Sequence, residues 1–146
     1  MKTKILLSFF ALSFMLFIGN SCKSQSANFN DKEIVGMLKD FYTSYIVERS
    51  KMPENFKKID SIIKKYCTID LQNQIKNEDI DYDLLLNGQF CEKEWLNTMS
   101  INKVSNDNSA YSVSFEYMLD GKRNQKNIKL QIVKNDLEYK INKVIE

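Results

Sequence analysis

The stretch that decides the fold is Ala110-Tyr111-Ser112-Val113-Ser114-Phe115-Glu116-Tyr117-Met118-Leu119. Tyr111, Val113, Phe115, Tyr117 and Leu119 alternate with Ala110, Ser112, Ser114, Glu116 and Met118, a period of two that a half-buried strand produces. The same period appears on either side. Before it, Met99, Ile101 and Lys103 share one side of a strand of roughly six residues. After it, Asp120-Gly121 reads as a turn or the start of a longer polar loop. Ile128, Leu130 and Ile132 then alternate with Lys129, Gln131 and Val133. Asn135-Asp136 makes a further turn, and Leu137, Tyr139 and Ile141 carry the pattern into a last strand ending near Val144.

Upstream of the strands the period becomes helical. Ile34, Val35, Leu38, Phe41, Tyr42, Tyr45 and Ile46 form one broad stripe, broadened further by Met37, on a helix capped by Asn30 or Asp31 and running to about Arg49. Pro53 suits the first turn of a second helix, whose apolar face is Phe56, Ile59, Ile62, Ile63 and Tyr66. Lys57, Lys58, Lys64 and Lys65 lie elsewhere around it, as a solvated face or one that meets anionic headgroups. Thr68 caps a short third helix through Asn77, with Leu71 and Ile75 inward. Helices followed by consecutive hairpin strands imply a segregated α+β domain over residues 31–146. Three or four antiparallel strands would bury one face under the first helix.

The first 21 residues read as an export leader. Lys2 and Lys4 precede an apolar run over residues 5–18, short of the roughly 20 residues that cross a bilayer, and small and polar residues follow. Gly19-Asn20-Ser21-Cys22 resembles a bacterial lipobox, in which the cysteine is lipidated and becomes the first residue. The alternative is ordinary cleavage near Ser21 and a soluble periplasmic product. Residues 22–30 are then a lipidated start and a polar tether. Several acyl chains would anchor the protein to the membrane, and Lys23 after the cysteine resembles lipoproteins released to the outer membrane, facing the periplasm or the cell surface.

Loss of the leader changes the charge. The full chain has 21 Lys+Arg against 19 Asp+Glu; without Lys2 and Lys4 the balance is 19 to 19. A nucleic-acid partner would demand a basic excess, so none is expected. The chain has no histidine, which removes the commonest general acid–base, the triads built on it and most zinc sites. No cofactor is expected. Cys67 and Cys91 are a candidate disulfide in an oxidising envelope, or two buried free thiols.

Asp79-x-Asp81-x-Asp83 begins like an EF-hand loop, but the sixth position is Leu84 where glycine is needed and the twelfth is Phe90 where glutamate is needed. No metal site is expected from it. A carboxylate pair there could serve a hydrolase, although a turn role, with Asp81 or Asp83 accepting backbone N–H bonds, is the commoner use. Trp95 is either a core residue under the sheet edge or an interface anchor. Tyr42, Tyr45, Asp81, Asp83 and Trp95 are the candidate binding residues, placed at the open end of the sheet.

The arrangement resembles the cystatin-like and nuclear-transport-factor-two-like folds, a curved antiparallel sheet around a long helix. On Phe41-Tyr42-x-x-Tyr45, Tyr66-Cys67-Thr68 with Leu71, Asp81-x-Asp83, Gln89, Trp95 and Tyr139-Lys140-Ile141-x-x-Val144, it also resembles an uncharacterised family of bacterial envelope lipoproteins, the domain of unknown function 3828. That resemblance implies a lipoprotein without established catalysis. The expected function is a non-enzymatic binding or scaffold module for another envelope protein. An inhibitor or immunity protein against a cell-wall-degrading effector is the alternative, and a carboxylate-dependent hydrolase the third.

Overall fold

The computed structural model describes residues 29–77 and 83–145. The leader, Cys22 and the tether to Asn28 lie outside them, as do Asp79, Asp81 and Tyr82. Among the described residues three helices come first: α1 (Asp31–Arg49), α2 (Phe56–Tyr66) and α3 (Ile69–Asn77). A short 3-10 helix (Lys93–Thr98) leads into β1 (Ser100–Lys103), β2 (Ala110–Leu119), β3 (Lys122–Asn135) and β4 (Glu138–Ile145). The four strands form one antiparallel sheet in sequence order. This is the α+β arrangement expected from the change of period.

The α1 stripe does what its spacing demands. Ile34, Leu38, Phe41, Tyr42, Tyr45 and Ile46 are buried, and Tyr42 meets Phe115 of β2 edge-on, with ring centroids 5.5 Å apart. Each such side chain contributes about 2 kcal/mol by leaving water. α2 lies on α1 through Ile59, Ile62 and Ile63, and Phe41 packs against Tyr66 at 5.6 Å. The start of α1 is fastened to three strands. The Asn30 N–H donates to the Tyr139 hydroxyl (2.8 Å), while Asp31 accepts from Lys103 (2.8 Å) and Tyr111 (2.6 Å).

Local chemistry moved several expected boundaries. α2 begins at Phe56 rather than around Pro53, because Asn55 is the cap: its side chain accepts the Lys58 N–H at 3.2 Å. Phe56 is consequently 71% exposed instead of inward. Asn30 sits at the N-cap of α1 but turns its amide to Glu33 (2.7 Å), making no side-chain cap bond. β1 has four residues rather than six. Asp120-Gly121 is a tight two-residue turn, both residues having positive φ, so β3 starts at Lys122 and not at the apolar alternation beginning with Ile128. Leu137 falls in the β3–β4 turn and is 91% exposed.

At the other edge of the sheet, the α2–α3 junction covers β4. Cys67 bridges Ile141, and the Thr68 N–H donates to the Ile141 carbonyl at 2.9 Å.

Candidate functional site

Three of the sequence-selected residues, Tyr42, Tyr45 and Asp83, converge where α1 ends. The loop Asp83–Gly88 folds back on itself: the Asp83 N–H donates to the Gly88 carbonyl (2.7 Å), and Asn87 takes a positive φ of 46°. Asp83 Oδ1 accepts the N–H groups of Leu85 (2.9 Å) and Leu86 (3.2 Å), the Asx-type turn that aspartate favours. That turn drives Leu85 and Leu86 into the core, where both are buried. Asp83 Oδ2 accepts from the Tyr45 hydroxyl (2.8 Å) and from Arg49 Nε (3.0 Å). The Tyr42 hydroxyl donates to the Leu85 carbonyl (3.0 Å), and Arg49 also pairs with Glu54. The result is a latch holding the loop to α1.

Electrostatics fit that structural use. Burial pushes the Asp83 carboxyl above the usual range, against the pull of Tyr45, Arg49 and the two amides. Burial, then the neighbouring Asp83, raises both tyrosine hydroxyls, so they stay protonated and donate.

Trp95 is a core residue. It packs on Phe115 (5.9 Å), Tyr117 (5.7 Å) and Phe90 (6.2 Å), with Lys126 Nζ 5.3 Å from its ring centroid. Its indole N–H has no hydrogen-bond partner among the described residues. Lys126 also donates to the Asn87 carbonyl (2.8 Å), tying β3 to the latch loop. Tyr42, Tyr45 and Trp95 are closed over rather than lining an opening, because their ring faces are packed.

Cys67 and Cys91 are both free thiols, which corrects the candidate disulfide. Cys67 is held between α2 and β4, whereas Cys91 lies against the Ile46 carbonyl of α1 (4.0 Å). Burial pushes Cys67 up to about 12 and Cys91 up to about 11, so neither is a ready thiolate.

No protein-family model matches the chain, and no curated protein matches it. Solved structures do. A protein of unknown function from Bacteroides thetaiotaomicron is 23% identical over 79% of this chain and 90% of that one, with a TM-score of 0.68. A chain of the native type VI effector–immunity complex Tae3–Tai3 from Ralstonia pickettii is 17% identical over 75% of this chain and 91% of that one, with a TM-score of 0.57. What is shared is the fold.

Two clefts open outside the latch, the second of them beside the end of α1 that the latch holds. One of about 440 Å³ runs between α1, the end of α2 and β4, lined by Gly36, Met37, Tyr66 and Tyr139 with the charged Asp40 and Lys65 at its sides. Another of about 440 Å³ separates the end of α1 from the 3-10 helix, beside Cys91. Sequence reading missed Arg49, Glu48 and Lys126. Glu48 and Arg49 continue the apolar stripe of α1 by three and four residues beyond Tyr45, and a charge on a core stripe signals an opposite charge across from it. For Glu48 the partners are Lys51 (2.7 Å) and Lys58 (2.6 Å).

Proposed function

We propose that the chain is an exported, lipid-anchored envelope protein whose α+β domain is a non-enzymatic protein-binding module. The observation that carries this reading is the latch. Asp83, its side chain 5% exposed, has both oxygens committed to Tyr45, Arg49 and two backbone amides, a use in which the carboxylate holds a loop in place rather than attacks a substrate. The fold shared with a chain of an effector–immunity complex supports a protein as the partner, and the second reading is an inhibitor or immunity protein against a cell-wall-degrading effector. The lipobox-like Gly19-Asn20-Ser21-Cys22 supports the anchor.

The test uses the chain from residue 22 onward, which contains the whole described core, with purified peptidoglycan-degrading effectors as targets. The expected result is inhibition of hydrolysis that completes at equimolar protein, together with co-elution. Undiminished hydrolysis and separate elution, joined to a native-membrane pulldown lacking any stoichiometric partner, would refute the binding reading. For the anchor, Cys22→Ser is expected to move the protein from the membrane to the soluble fraction. Unchanged fractionation would overturn it.

A further inference from the structure

The β2–β3 pair runs past both of its neighbours. β1 pairs with β2 only over residues 111–114, and β4 pairs with β3 only from Lys129 onward. Residues 115–119 and 122–126 are thus paired with each other as a two-stranded ribbon.

Hydrogen bonding fixes which groups that ribbon leaves open. The Val104 N–H donates to the Ala110 carbonyl, and the Glu116 N–H to the Thr98 hydroxyl (2.9 Å), so even-numbered residues of β2 turn their main chain toward β1. The odd-numbered residues face β3, and their register partners Lys122, Asn124, Lys126 and Ile128 face back. Arg123, Gln125 and Asn127 therefore turn their N–H and C=O groups outward, on the side that β4 covers only further along. Among the described residues nothing bonds those main-chain groups. A row of open donors and acceptors of this kind is a template for another strand.

The charge on this edge selects what can add there. Lys122-Arg123-Asn124-Gln125-Lys126-Asn127-Ile128-Lys129 holds four cations and no acid. Lys126 is drawn inward to Asn87 and Trp95, while the Arg123–Glu116 pair is long, at 3.5 Å, and solvated. A second copy pairing through the same edge would set cations against cations, which destabilises a ladder. An acidic strand gains both the ladder and the charge.

We propose that this overhang is a docking edge, where an extended acidic segment of a partner protein adds as a strand beside β3, with its main chain on Arg123, Gln125 and Asn127. The inference rests on the binding-module reading above, and names its edge and the chemistry of its partner.

The experiment follows amide hydrogen exchange by NMR in the chain from residue 22 onward, with a blocked hexapeptide of alternating glutamate and threonine as probe and a lysine–threonine hexapeptide as control. Saturable slowing of exchange by tenfold or more at the amides of Arg123, Gln125 and Asn127, with the glutamate peptide alone, is the expected result. Gln125→Pro removes an N–H that the β2–β3 ladder does not use, and should weaken that binding at least tenfold with little change in Tm. If that variant fails to fold, Lys122→Glu with Arg123→Glu takes its place and should exchange the preference to the lysine peptide. No slowing at these amides, or equal slowing by both peptides, overturns the proposal. Protection that rises with protein concentration alone overturns it in favour of a second copy. Effector inhibition that survives Gln125→Pro undiminished removes the overhang as the docking edge and leaves the binding-module reading standing; a wild-type chain that neither inhibits nor binds removes that reading itself.

Discussion

At the scale of single residues, the latch around Asp83 makes the sharpest demands. Replacing Asp83 by asparagine puts an amide NH2 where a carboxylate oxygen accepts, so either Tyr45 and Arg49 or the turn amides lose an acceptor, and should cost about 2 kcal/mol in urea unfolding. Tyr45→Phe removes one donor of several and should cost about 1 kcal/mol. Acid titration separates two carboxylates of opposite sign. Hydrogen bonds from Lys51 and then Lys58 hold Glu48 below its ordinary value, so its contribution is complete above about pH 4.5 and is lost as pH falls through the lower folded value. Asp83 is raised by burial, so its ionisation weighs against the fold as pH climbs through the ordinary carboxylate range. Thermal melts of wild type and Glu48→Gln should therefore differ near neutrality and converge as pH falls below the ordinary carboxylate range; curves that stay parallel would deny Glu48 this role. Of this site, Tyr42, Tyr45 and Asp83 were legible because aromatic stripes and Asx turns are local signals. Arg49 and Lys126 were not, since their partners lie 34 and 39 residues away along the chain.

Among elements, the helices were the more legible because their apolar faces are long. α1 has the boundaries its spacing predicts, whereas α2 starts three residues after Pro53 because the Asn55 side chain caps it. Alternation located β2 and β4, but half of β3 was invisible. Lys122 to Asn127 carry no apolar side chain, so nothing in a hydrophobic period marks them, and the strand is made by the turn before it. That turn is therefore a place to probe. Gly121 has φ +72° and open space where a Cβ would sit, so Gly121→Ala meets no clash and should still cost about 1 kcal/mol through backbone strain alone. The junction between α2 and β4 has its own reporter. Without reductant, alkylation at pH 8 should label Cys91 slowly and Cys67 only on unfolding, as their burial and raised values require. Resistance of both thiols to alkylation in denaturant would restore the disulfide.

Across the whole molecule, strand order equals sequence order, so each strand lies beside its chain neighbour and the one continuous core joins helices to sheet. Fluorescence of the lone tryptophan, packed on β2, and far-ultraviolet dichroism, dominated by the helices, should then report the same unfolding midpoint. Separate midpoints would show that the helices melt apart from the sheet. The fastening at the head of α1 carries a mechanical meaning. Any tension arriving through the residues upstream of Phe29 reaches Asn30 and Asp31, which grip Tyr139, Lys103 and Tyr111 on three different strands. Such a pull is shared across the width of the sheet instead of peeling α1 from its first turn, so a domain towed from that end resists as a block.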